Sequence, residues 1–265
     1  MRDERRFESF HQDWGEATDV SSFCGRSAEL EELQHWIVTE NARLVIILGM
    51  GGIGKTSLSI KLAQQLITLH PSSLIPHPSS LPFEFVIWRS LRDAPPMDVI
   101  LADLIQFLSR QQETELPDTV DGKLTRLMHY LRSSRCLIVL DNVESILGSC
   151  DRAGHYPIGY ESYGELFRRM GETMHQSCLV ITSREKPREV AALEGQMVRS
   201  FRLSGLDETE ATELLKPKQL EANQRTFKRL IEMYAGHPLA LKIAGATIAE
   251  LFAGDVGEFL TQGTA

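Results

Sequence analysis

No run of apolar residues in this 265-residue chain approaches the ~20 that a membrane-spanning helix needs, and the run Leu44–Leu48 breaks into glycines. Met1 to Phe10 is charged throughout and carries no apolar segment, so it does not read as a secretory signal. A basic surplus is missing too. Lys and Arg number 28 against 36 Asp and Glu, a formal net charge of −8. Free-standing nucleic-acid binders draw affinity from neutralising phosphates, so no nucleic-acid partner is expected, and no membrane. Cysteines number only four, and none stands in a CxxC or Cys/His spacing that would hold zinc. Cys136 and Cys178 open apolar runs and Cys24 and Cys150 fall in loops, which reads as reduced thiols in a cytoplasmic protein.

What the chain does have is alternation of short apolar runs with helix-periodic segments. Strands are expected at Leu44–Leu48, Phe83–Trp88, Cys136–Leu140, Cys178–Ile181 and, more weakly, Met197–Leu203. At least three are apolar without a polar face, the mark of a parallel sheet covered on both sides. The expected class is therefore α/β, with five parallel strands. Beyond Leu203 the pattern turns to helices only: Asp207 with Glu210 forms a capping box, Asn223 caps the next helix, Gly236 stops it, and Pro238 starts another running to about Phe252. This divides the chain into a flexible lead-in over 1–20, an α/β domain over 21–204, and a small all-α domain over 205–265. Residues 70–82 repeat His-Pro-Ser-Ser-Leu and read as an exposed insertion. Its paired histidines lack further ligands and are not assigned a metal.

Gly49-Met50-Gly51-Gly52-Ile53-Gly54-Lys55-Thr56 matches G-x-x-x-x-G-K-[ST], between an expected strand and an expected helix. A chance match in a chain of this length is on the order of 1%, so the motif is taken at face value. Gly49, Gly51, Gly52 and Gly54 permit turns that aim backbone N–H groups at an anion. Ile53, Lys55, Thr56 and Ser57 continue the cradle into a helix N-terminus. Lys55 would reach the outer phosphates and Thr56 would ligate Mg²⁺. Leu137-Ile138-Val139-Leu140-Asp141 delivers a carboxylate to the same sheet edge, a second Mg²⁺ candidate. The following residue is Asn142, whose amide orients water but cannot take its proton. Glu144 is the nearest carboxylate, a candidate base or an ordinary loop residue. Arg184 ends the fourth strand, where it could sense a terminal phosphate.

With Gly236-His237-Pro238-Leu239-Ala240-Leu241 added, the set resembles the NB-ARC family of STAND-class ATPases, over roughly Phe23 to Phe252. The motifs that carry it are Phe23–Arg26, Gly49–Thr56, Leu137–Asp141, Thr182–Arg184 and Gly236–Leu241, in family order. The resemblance implies that the nucleotide is ATP or ADP, that Pro238 packs on adenine, and that Gly25 and Arg26 close over it. It implies a nucleotide-gated switch in signalling, with self-association or sensor and effector protein partners. The Leu-Asp-Asn-Val-Glu pattern is similar to that of bacterial relatives linked to WD or TPR repeats. Asn142 departs from the family's second acid and implies slow hydrolysis at most. No histidine follows His237, so the family's winged-helix domain is expected to be absent. Two other readings stand beside this one: a catalytic P-loop enzyme such as a small-molecule kinase or remodelling ATPase, and a nucleotide-stabilised scaffold without turnover. A guanine-reading Asn-Lys-x-Asp is missing, which excludes a GTPase.

Overall fold

In β2 (Leu44–Leu48) every residue is buried, and alternate side chains enter different cores. Leu44, Ile46 and Leu48 face one hydrophobic cluster, Val45 and Ile47 another. This is the signature of a strand packed on both faces. The computed structural model describes residues 10–68, 83–148 and 154–262. Its sheet has the order β1-β3-β4-β5-β2-β6, every neighbouring pair parallel. The other strands are β1 (His11–Asp13), β3 (Phe85–Ser90), β4 (Cys136–Asp141), β5 (Cys178–Ser183) and β6 (Val198–Arg202).

One face is covered by α3 (Met97–Leu108), α4 (Val120–Ser133), α5 (Glu161–Glu172) and α6 (Arg188–Leu193), the other by α1 (Ser27–Gln34) and α2 (Lys55–Thr68). Leu58, Leu62 and Leu66 recur at i+4 along α2 and are all buried. Each such side chain contributes about 1.5–3 kcal/mol by leaving water. A third cluster, which includes Leu215, Leu230, Leu241 and Ile248, is built by α7 (Glu208–Leu215), α8 (Gln224–Met233), α9 (Pro238–Leu251) and α10 (Val256–Gln262). The Asp207–Glu210 capping box, the Asn223 cap and Pro238 at the first turn of α9 are all present.

The sheet has six strands rather than five. The additional β1 lies inside the stretch that reads as a flexible lead-in. Three residues without apolar alternation give no strand signal. What holds them is pairing with β3 and Arg89, whose guanidinium bridges Asp13 at 2.6 Å and Asp103 at 2.5 Å. α3 has no side-chain cap. Pro96 occupies the N-cap position, and Asp98 sits in the first turn paired with Lys123. Met174 lies past the end of α5 and is 79% exposed, because the helix stops at Glu172. Burial pushes the thiols of Cys136 and Cys178 up to about 12, so both stay protonated. The repeat at 70–82 and Cys150 lie outside the described residues.

Candidate functional site

The strand order places β2 beside β5, and β5 beside β4. The loop after β2, the end of β4 and the end of β5 therefore meet at one edge, the carboxyl edge where open α/β sheets bind ligands. Between Leu48 and Lys55 the chain turns through Gly52 at φ +77° and Gly54 at φ +103°. Both values are costly for any residue with a side chain. The turn is also crowded from outside. A Cβ on Gly51 would lie 3.0 Å from Arg184 Nη2, and one on Gly52 would lie 2.7 Å from Leu239 Cδ2. Lys55 is buried, and its ammonium donates to the carbonyls of Gly49 at 2.8 Å and Met50 at 3.2 Å. Burial lowers its pKa, while the charges of Glu144 and Asp141 act in the other direction.

Asp141 is 1% exposed and anchors a small oxygen cluster. It accepts from the Thr56 hydroxyl at 2.9 Å and from the Thr182 hydroxyl at 2.6 Å. Thr182 in turn accepts from the Asn142 N–H at 3.0 Å. Burial raises the Asp141 pKa, partly offset by these hydrogen bonds and by Lys55. In the Thr182–Arg184 segment, whose sequence points to Arg184, it is the strand's own Thr182 hydroxyl that touches Asp141. Thr56 and Asp141 are hard oxygen donors held side by side, which suits Mg²⁺. Among the described residues no group of three or more His, Cys, Asp or Glu could hold a metal by itself. The remaining ligands would be phosphate oxygens and water.

Asn142 adopts a left-handed backbone at φ +63°, a conformation asparagine tolerates better than most residues. It turns the chain into a short 3₁₀ segment, Val143–Ile146, that carries Glu144. The carboxylate of Glu144 pairs with Arg184 Nε at 3.2 Å. The candidate base and the candidate phosphate sensor thus hold one another.

The opposite wall comes from the N-terminal segment and from α9. Together with the phosphate loop they enclose a cleft of about 430 Å³. Val20, Phe23, Leu206 and Pro238 give it an apolar side, and Arg92 and Lys242, which no motif flags, add positive charge. His237 reaches from the start of α9 to the loop, with Nε2 2.9 Å from the Gly51 carbonyl. Its Nδ1 accepts from the Ala240 N–H at 3.3 Å, capping the helix. One nitrogen accepts and the other faces a carbonyl, so the neutral ring carries its proton on Nε2. Arg26 lines the cleft but is only 3% exposed. Its guanidinium is engaged by Glu29 and by the Ser204 carbonyl, each at 2.7 Å, and its backbone N–H donates to Glu210. Gly25 is required there, since a Cβ would meet the Glu210 side chain at 2.8 Å.

Comparison with known proteins gives a consistent answer. The NB-ARC domain model matches residues 26–146. Over 260 residues, 96% of its length, the chain is 52% identical to an uncharacterised WD repeat-containing protein of Nostoc sp., of which it spans 20%. A probable disease resistance protein of Arabidopsis thaliana, RF45, is 30% identical over 131 residues, 47% of this chain and 12% of that protein. In structure the chain resembles a signal transduction ATPase with numerous domains, bearing a tetratricopeptide repeat sensor, from Pyrococcus horikoshii. The TM-score is 0.52 at 20% identity, covering 86% of this chain and 30% of the other. Cdc6p of Pyrobaculum aerophilum gives a TM-score of 0.55 at 15% identity, over 85% of this chain and 62% of that one. These likenesses show the P-loop NTPase fold.

Proposed function

We propose, for a chain whose residues 26–146 belong to the NB-ARC domain family, that it binds ATP or ADP with Mg²⁺ and serves as the nucleotide-gated part of a signalling switch. The observation that carries this is the glycine-built phosphate loop whose Thr56 hydroxyl lies 2.9 Å from the buried carboxylate of Asp141. Backbone N–H groups of Gly51–Lys55 and the N-terminus of α2 suit a chain of phosphates. The bound metal would neutralise phosphate charge; Thr56 and Asp141 are the residues to hold it, Asp141 directly or through water. The apolar side of the cleft, with Val20, Phe23 and Pro238, suits a flat base such as adenine.

Gating has a physical basis in the division of the site. Phosphate contacts come from the sheet, while Pro238 and His237 come from α9. A ligand that touches both favours the arrangement in which they meet, and shifts that equilibrium by its differential affinity. Slow hydrolysis fits Asn142, which cannot accept a proton, and Glu144, which is held by Arg184. That same pairing favours a second reading, a nucleotide-stabilised scaffold without turnover; steady-state phosphate release separates the two. The WD repeat-containing relative motivates a sensor or effector protein as partner, or a second copy of the chain, in the cytoplasm. No helix among the described residues is long and apolar enough to cross a membrane.

The test is calorimetry with ADP and ATP in the presence of Mg²⁺. Lys55→Ala is expected to remove most affinity for both. Unchanged ADP affinity in that variant would refute the assignment.

A further inference from the structure

An anion-binding cleft should be lined by cations, yet Glu144 sits in its wall. The side chain is 18% exposed, and Oε2 is buried with no hydrogen-bond partner among the described residues. Leaving a carboxylate oxygen buried and unpaired costs stability, and a glutamine of the same shape would avoid the charge. The residue is therefore poorly explained by packing. Its other oxygen holds Arg184, whose side chain is 64% exposed and lies against Gly51 of the phosphate loop. Arg184 thus stands between two acceptors. One is the carboxylate already in place; the other is whatever anion extends past the loop.

We propose that Glu144 is a positioning residue that withholds Arg184 from the terminal phosphate, and so lowers the preference of the site for triphosphate over diphosphate. The inference rests on the nucleotide reading above and adds to it a determinant of specificity. A guanidinium satisfied by one carboxylate gains less from a second anion than a free one, because its first partner must be given up or shared. The penalty falls on the ligand that needs Arg184. It spares the ligand whose phosphates end within reach of the loop N–H groups and Lys55. Among the charges acting on Lys55, Glu144 acts more strongly than Asp141, so the acid bears on the same phosphate-binding group from a second side.

The experiment is calorimetry of the unaltered chain, Glu144→Gln, Arg184→Gln and the double variant, with Mg²⁺ and either ADP or a non-hydrolysable ATP analogue. Glu144→Gln is expected to shift the affinity ratio toward the triphosphate by about tenfold, the scale of one charge-assisted hydrogen bond. Arg184→Gln should weaken the triphosphate and leave ADP nearly unchanged. In the double variant the gain from Glu144→Gln should vanish, since the acid acts through the arginine. A merely structural role for Glu144 would weaken both ligands together and leave their ratio fixed, which would overturn the proposal. A gain that survives in the double variant would also overturn it, by showing that Arg184 is not the intermediary. If Glu144→Gln does not fold, Glu144→Asp, which shortens the reach to Arg184, should give a shift of the same sign; no shift refutes the idea. Failure of the unaltered chain to bind either nucleotide would instead remove the underlying reading, and the proposal with it.

Discussion

Replacing Gly236 by alanine tests whether α9 belongs to the nucleotide site. Gly236 has φ +66°, and a Cβ there would lie 2.1 Å from the Leu206 carbonyl oxygen and 2.9 Å from its nitrogen. Nothing at that distance can yield by rotating a side chain; the two backbones must separate. Holding alanine in the left-handed region costs about 1–2 kcal/mol. Separation also loses the bond from the Leu206 N–H to the Gly236 carbonyl, 2.8 Å at present, worth about 0.5–1.5 kcal/mol net. The sum is roughly 1.5–3.5 kcal/mol against the docked position of α9. If docking is required for binding, ADP affinity falls between about tenfold and several-hundredfold. Gly205→Ala is the partner experiment. Its Cβ would lie 2.0 Å from the Ala235 carbonyl, without a left-handed backbone, so it carries the displacement alone. Calorimetry for affinity and urea midpoints for stability should be read together. Affinity within twofold of the unaltered chain, with an unchanged midpoint, would mean the two backbones are not in contact. A lower midpoint with unchanged affinity would mean α9 takes no part in binding.

Two further outcomes follow from the geometry. Asn142→Asp should raise steady-state phosphate release severalfold, since a carboxylate there can accept a proton from water and aspartate also tolerates the left-handed backbone; an unchanged rate would exclude that position as a base. His175, between α5 and β5, has Nε2 3.0 Å from the Met170 carbonyl and accepts the Ser177 N–H at 3.2 Å. Chiefly through burial its pKa is pushed down from 6.5 to about 4. The folded chain thus favours the neutral ring: the stability it contributes is complete above pH 6.5 and is lost as pH falls toward 4. The loss by pH 5 should be about 2 kcal/mol, and urea titrations at pH 7 and 5 should show that increment in the unaltered chain and not in His175→Gln.

How far the sequence revealed this structure depended on the range of each interaction. The phosphate loop, the Asp207–Glu210 box and the Asn223 cap are complete within a few residues, so spacing alone identifies them. The buried strands were legible because a parallel sheet demands uninterrupted apolar runs. The contacts that shape the cleft run between segments far apart in the chain. His237 meets a carbonyl 186 positions away, and the guanidinium of Arg26 donates to the Ser204 carbonyl 178 positions away. A motif marks such residues as worth watching without saying which atoms they face. Thr182 was hidden for a different reason: a hydroxyl inside an apolar strand reads as a tolerated polar residue until a carboxylate is found beside it.

β1 bears on how the chain can be shortened. Every residue assigned to nucleotide binding lies at or beyond Val20, so a protein trimmed to begin there would keep them all. It would lose the three residues that pair with Phe85, Val86 and Ile87, and the His11 ring stacked 5.2 Å from Phe85. β3 would then become the outer strand, offering a row of open N–H and carbonyl groups beside four buried apolar side chains. Such an edge recruits strands from other molecules. The trimmed protein would keep the residues of the cleft, and aggregates are expected to grow from β3 at concentrations the longer chain tolerates.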